Sequence, residues 1–243
     1  MKQYEAVIKV MEENDGYATV GQLYQDVLKV PGCVWKTKTP YASIRRIVQD
    51  NRFFFKIRPG LWALKNQKEN VLRKLEIASK VPKKQELFSH TYYQGLLVQI
   101  GNMRDFDTFV PHQDKNKKFL NTPLKKMVSL ENIFEFTYSR LVKKAGTIDV
   151  SWFNARQLPH AFFEVEHTSG IYKSLIKFMY LQDFNTGFSI VADKVRYEEF
   201  LSIFNESIFD PIRGRVEFCD YEKIAEFHTK LHAFNKVRDV FPF

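Results

Sequence analysis

Apolar positions in the first 64 residues follow two rhythms. Tyr4, Val7, Ile8, Val10 and Met11 share one face at the 3.6-residue period, which predicts an amphipathic helix stopped by Asn14-Asp15-Gly16. Thr19 then stands as an N-cap ahead of Val20, Leu23, Tyr24, Val27 and Leu28, a second helix broken at Pro31-Gly32. A third starts with Thr39 as N-cap and Pro40 at the first helical position, and runs through Ile44, Ile47 and Val48. After it the pattern becomes strand-like. Residues 53–57 and 61–64 are apolar runs joined by Arg58-Pro59-Gly60, a good turn sequence. Helix, helix, helix, hairpin is therefore the expected order of a first domain at 1–66.

A charged, helix-forming stretch follows from 65 to 79, and Val81-Pro82-Lys83-Lys84 reads as a boundary. Residues 67–86 are expected to be a linker helix and hinge, and residues 87–243 a second domain. That domain opens with a helix over about 86–103, burying Leu96, Leu97 and Ile100. A strand is expected at 106–110, then a polar, Lys-containing insertion over 112–145 with no pattern that predicts a fold. Two acid-bearing strands follow, near 146–152 and 160–166. The rest predicts a helix at 171–184, a strand at 188–192, a helix at 196–205, a strand at 215–219 and an amphipathic helix at 221–238. The fold class is α/β, a mixed sheet with helices on both faces.

The two acidic strands carry the candidate chemistry. Strand side chains alternate, so Glu164 and Glu166 point one way and Val165 points into the core. If the strands pair as a hairpin, Asp149 joins them and three carboxylates share one patch. Such a cluster raises its own pKa values unless a cation sits within it. Oxygen-only ligands favour a hard divalent ion such as Mg²⁺. From spacing alone, a hairpin with a solvated acidic face is an equally open reading.

Charge changes the picture in the first third. The chain carries a net charge of +9, with 11 basic and 6 acidic residues over 1–66, against 20 of each over 85–243. A basic module joined to a neutral one with an acidic site suits nucleic-acid chemistry. Cys33 and Cys219 lie far apart without a CxxC partner, which argues against zinc modules and disulfide scaffolds and fits a reducing cytoplasm. No signal peptide, membrane-length apolar run, internal repeat or low-complexity tract is visible, and P-loop, GxSxG and HExxH motifs are absent.

Asp149 followed by Glu164-x-Glu166 resembles the PD-(D/E)XK pattern of restriction-endonuclease-like nucleases. The string Phe162-Phe163-Glu164-Val165-Glu166-His167-Thr168-Ser169-Gly170-Ile171-Tyr172, after Ile148-Asp149-Val150-x-Trp152, is similar to a segment of bacterial restriction-type nuclease domains. The likeness runs roughly from 88 to 205 and reaches back to His90-x-x-x-Gln94-Gly95-Leu96-Leu97. It departs at the motif's final lysine, where this chain has Glu166; that removes the usual candidate for activating water. The resemblance implies one or two Mg²⁺ ions held by Asp149, Glu164 and the Val165 carbonyl. Glu166 would be a general base or a further ligand, and His90 and Gln94 would border the site. His167, on the other side of the strand, is expected to pack or hydrogen-bond. Lys173, on the following helix, and Lys115 and Lys117, in the insertion, are candidate phosphate contacts.

The first 66 residues form the pattern of a winged helix. The string Thr39-Pro40-x-x-Ser43-Ile44-x-Arg46, with the runs after it, resembles the HARE-type helix-turn-helix domain. Its candidate DNA-binding residues are Tyr41, Ser43, Arg45 and Arg46 on the third helix, Lys36 and Lys38 before it, and Lys56 and Arg58 on the wing. Most would touch phosphate rather than bases. These resemblances imply an Mg²⁺-dependent endonuclease of type II restriction type acting on double-stranded DNA in the cytoplasm, away from membranes. The active form is expected to be a homodimer on DNA, with Val240-Phe241-Pro242-Phe243 or the final helix as its surface. A cognate DNA methyltransferase would be encoded nearby. The alternative is a winged-helix DNA-binding regulator with an inactive nuclease fold; a nuclease for RNA or branched DNA is a third.

Overall fold

The computed structural model describes residues 1–77, 82–167 and 170–238, with the side chains of 82–84 and 236–238 left aside. The expected roles of residues 79–81, of Thr168 and Ser169, and of residues 240–243 fall outside the described residues. Two compact units are present, one of Met1–Lys84 with Ala225–Phe243 and one of Gln85–Ile224.

The first unit contains α1 (Gln3–Glu13), β1 (Tyr17–Thr19), α2 (Val20–Asp26), α3 (Pro40–Val48), β2 (Phe54–Arg58), β3 (Leu61–Leu64) and α4 (Lys68–Lys74). The side chain of Thr19 accepts from the Gln22 amide, the cap its position predicts. Thr39 occupies the N-cap of α3 but makes no capping bond, and Pro40 alone marks that start. β2 and β3 pair antiparallel around Pro59-Gly60, and Gly60 takes a left-handed φ of 75° at the turn. A third strand, β1, joins β3; three residues are too few to show a period. Among the described residues of the charged stretch after β3, a 3₁₀ turn over Lys65–Gln67 leads into α4. Glu76, at a φ of 57°, and the bond from Ile77 N–H to the Leu72 carbonyl close it in a Schellman-type stop.

The second unit opens with α5 (Pro82–Met103) and β4 (Asp107–Phe109). The insertion folds as a small hairpin, β5 (Lys118–Phe119) and β6 (Thr122–Pro123), a 3₁₀ turn and α6 (Ser139–Ala145). Then come β7 (Val150–Phe153), β8 (Pro159–Glu166), α7 (Ile171–Met179), β9 (Gly187–Ala192), α8 (Tyr197–Phe204), β10 (Val216–Asp220) and α9 (Tyr221–Arg238), which from Ala225 on is counted with the first unit. α7 is shorter than its apolar pattern suggests. Beyond Met179 the backbone continues in three-residue turns, which still bury Leu181.

The five strands run in the order β10-β9-β8-β7-β4. β8 pairs antiparallel with β7 and parallel with β9, so the sheet is mixed. Its two faces are covered by different helices. Phe162 and Phe188 stack on one face against a cluster that includes Ile171, Leu175 and Phe178 of α7. On the other face Trp152 packs on Phe163, and its indole N–H donates to the Leu97 carbonyl of α5 at 3.1 Å.

The small hairpin is seated on α5 through Phe119, whose ring stacks on Tyr92 at 5.7 Å. It also fills the space that a Cβ at Gly95 would occupy. Gly95→Ala is therefore expected to cost about 1–3 kcal/mol by overpacking, read from denaturant melts. Wild-type stability would show that the ring has room to move aside.

Candidate active site

The geometry starts from the β7–β8 register, in which Val150 faces Phe163 and Ser151 faces Phe162. One further step brings Asp149, just before β7, opposite Glu164. Cross-strand neighbours lie about 4.5–5.5 Å apart at Cβ. The cluster is not the solvated acidic face that spacing left open: Asp149, Glu164 and Glu166 are all buried.

Each acid has a polar partner. Asp149 Oδ2 accepts from the Val165 amide at 2.8 Å and lies 3.1 Å from His90 Nε2. Burial disfavours an imidazolium at His90, but the hydrogen bond and charge of Asp149, aided by Asp114, outweigh it and raise its pKa above 6.5. A carboxylate oxygen only accepts, so it is Nε2–H that donates to Asp149. Gln94, one turn further along α5, is fully buried. Its amide nitrogen donates to the Asp149 carbonyl at 3.1 Å and to Asp114 Oδ2 at 2.7 Å. Both partners only accept, so the amide orientation is determined. Gln94 Oε1 is left buried with no hydrogen-bond partner among the described residues.

On the other side α7 supplies Ser174 and Lys177. Lys177 Nζ pairs with Glu164 Oε1 at 2.7 Å and donates to the Thr147 carbonyl at 3.0 Å. Ser174 Oγ lies 3.1 Å from Glu164 Oε2 and also hydrogen-bonds Glu166 Oε1. Burial, with the Asp149 charge, pushes Glu164 up from 4.5 to about 8 despite the Lys177 ammonium. Burial raises Glu166 too, against the opposing pull of Ser174 and of the Arg196 and Lys177 charges. Gly170, the N-cap of α7, has a φ of 119°, and a Cβ there would sit 2.6 Å from the Glu166 carboxylate. Only glycine fits both demands.

The other candidates are placed as follows. His167 Nδ1 is 3.4 Å from the Tyr221 hydroxyl. Lys173 is exposed on α7, while Lys177, one turn further, enters the cluster. Lys117 is paired with the buried Asp114 at 2.5 Å, and Lys115 bonds the Glu131 carbonyl. In the first unit, Arg45 is exposed on α3 near Tyr24, whose ring packs 4.5 Å from Tyr41. Ser43 Oγ donates to the Thr39 carbonyl at 3.4 Å. Lys36, Lys38, Arg46 and Lys56 are exposed, and Arg58 is half-buried.

Sequence reasoning missed Ser174, Lys177 and Asp114. The three-residue spacing of Ser174 and Lys177 puts them on one helix face, a signal in hand but without a direction. Nothing local marks Asp114.

A mixed α/β sheet carrying buried, paired acids at the meeting of an antiparallel and a parallel strand pair defines this domain. Residues 71–241 match the family model of the type II restriction enzyme NmeDI C-terminal domain, and the chain belongs to that family. No curated protein and no solved structure matches it. Among the described residues no helix is long and apolar enough to cross a membrane.

Proposed function

We propose that the chain is a type II restriction endonuclease of PD-(D/E)XK type, in which Asp149-x14-Glu164-x-Glu166 is a variant motif and Mg²⁺ the cofactor. The carrying observation is the Asp149–Glu164 juxtaposition: two buried acids side by side, with burial and the Asp149 charge raising the proton affinity of Glu164, suit a cation. The donor set fits Mg²⁺: two carboxylates and the Val165 carbonyl, all hard oxygens. Among the described residues no three His, Cys, Asp or Glu side chains form a ready-made cage. Mg²⁺ usually takes only one or two carboxylates and keeps several waters. When bound, it would supply Lewis-acid activation of the phosphate and of a water.

The chain's own residues do the rest. His90 and the Val165 amide orient the Asp149 carboxylate, and Gln94 holds the peptide behind it. Lys177 brings to Glu164 the positive charge that a lysine at position 166 would otherwise supply. Glu166, held by Ser174 at the start of α7, is the proton acceptor within the cluster. Incubating the protein with duplex DNA and Mg²⁺, then with EDTA in place of Mg²⁺, tests the reading. Site-specific fragments in the first case only are expected.

The first unit is the proposed DNA-binding winged helix, with α3 as the recognition helix and β2–β3 as the wing. Arg45 and Arg46, both exposed on α3, are the proposed base or phosphate contacts, and Arg46 is the one tested first because the Arg45 charge lies near Tyr24. Arg46→Ala is expected to weaken duplex binding several-fold. Loss of preference for one sequence would mark a base reader, where each good bidentate pair is worth about 1–3 kcal/mol. Unchanged binding at low salt would remove α3 from the interface. A homodimer on DNA, with one acidic cluster for each strand, and a methyltransferase protecting the host complete the proposal.

A further inference from the structure

The geometry points to the hairpin at 114–126 as a rigid clamp for the DNA backbone beside the cleavage site, acting through Lys118, Lys125 and Lys126. The inference rests on the endonuclease reading and names a surface that the reading leaves open. Three observations carry it.

The segment is fastened to α5. Asp114, 1% exposed, accepts from Gln94 at 2.7 Å, and the same amide donates to the Asp149 carbonyl at 3.1 Å. A single side chain therefore joins the hairpin to the peptide that presents Asp149. Phe119 adds a second anchor, seated on Gly95 and Tyr92.

The hairpin is internally braced. Leu124 N–H donates to the Lys117 carbonyl and Lys125 N–H to the Lys115 carbonyl, each at 2.9 Å. The Lys115 ammonium bonds the Glu131 carbonyl, and Lys117 neutralises Asp114. Those two lysines serve the segment itself.

Three further cations lie on the segment. Lys118, Lys125 and Lys126 are exposed, and among the described residues none forms an ion pair. A braced backbone has little of its own entropy left to lose when its uncompensated ammonium groups meet a row of phosphates, so the binding cost is confined to the lysine side chains. Lysine is a flexible point charge, suited to phosphate contact and poor at reading bases. The surface is thus expected to give affinity without sequence preference.

The test is DNA binding by the full chain in EDTA, so that its outcome does not depend on cleavage. Anisotropy titrations across a salt series compare the wild type with the K118Q/K125Q/K126Q variant. Each lost phosphate contact reduces the slope of log K against log salt by about 0.9, so a drop of about 2 to 3 is expected, equal for cognate and unrelated duplexes. A variant with the wild-type slope overturns the clamp, as does a loss seen only with RNA while duplex affinity is intact. If the wild type binds with the expected slope yet never cuts with Mg²⁺, the endonuclease reading fails instead.

Discussion

Asp149→Asn and Glu164→Gln are each expected to lower Mg²⁺-supported cleavage by on the order of a thousandfold or more, the scale at which a preorganised charge-stabilising group is lost. DNA affinity in the absence of cutting should stay the same or rise, because Asp149→Asn removes negative charge from beside the phosphates and Glu164→Gln puts a neutral isostere in place of the protonated carboxyl. Single-turnover nicking assays with parallel binding titrations separate the two effects. Wild-type cleavage by either variant would place the chemistry elsewhere. Glu164→Gln should also change stability, with a sign set by the raised pKa. Between its ordinary 4.5 and about 8, the Glu164 carboxyl holds a proton in the folded chain that the unfolded chain has released. The metal-free protein should therefore lose this stabilisation as pH rises through that window, since stability falls with pH wherever the folded state binds more protons. Glutamine, which cannot ionise, should flatten that part of the melting-temperature profile. A profile of wild-type steepness in the variant would show that Glu164 does not carry the proton.

Lys177→Met is expected to lower cleavage by about 10- to 100-fold, the usual effect of removing a group that orients and tunes a metal-binding carboxylate. Its ammonium is 2.7 Å from Glu164 and lowers the proton affinity of that acid. Without it Glu164 takes up a proton more readily, so the acid limb of the pH–rate profile should move to higher pH. Lys177→Arg keeps the charge with a different donor geometry and should restore part of the rate and much of the profile. A purely structural lysine would leave the profile where it was. Lys173→Met, one turn earlier and exposed, is the matched comparison, and its acid limb should not move.

The hairpin behind these predictions was legible in the chain. Val150, Trp152, Phe163 and Val165 alternate with Ser151, Phe162, Glu164 and Glu166, and a two-residue period allows one register in which the apolar set is buried. The helices α1, α5 and α9 were legible too, since their patterns are long enough to outvote local noise. So was the cap at Thr19, a contact between near neighbours. Shorter devices were not. β1 has three residues, α4 stops on a left-handed glutamate, and Thr39 stands at a cap position without capping.

What only the tertiary structure decided is the company each acid keeps. Asp149 meets His90 across 59 residues, Gln94 meets Asp114 across 20, and Glu164 meets Lys177 across 13. Periodicity says which residues share a face of one element. It does not say which face of which helix is laid against that element, and that choice is made by the packing of Phe162, Leu175, Phe178 and Phe188 on one side of the sheet and of Trp152 on the other. The sequence by itself determined that three carboxylates would be gathered on one strand pair. Burying them, and supplying an imidazole and an ammonium from opposite sides, required the apolar core to bring α5 and α7 onto the sheet, because charges are tolerated inside a protein only where packing also delivers their partners.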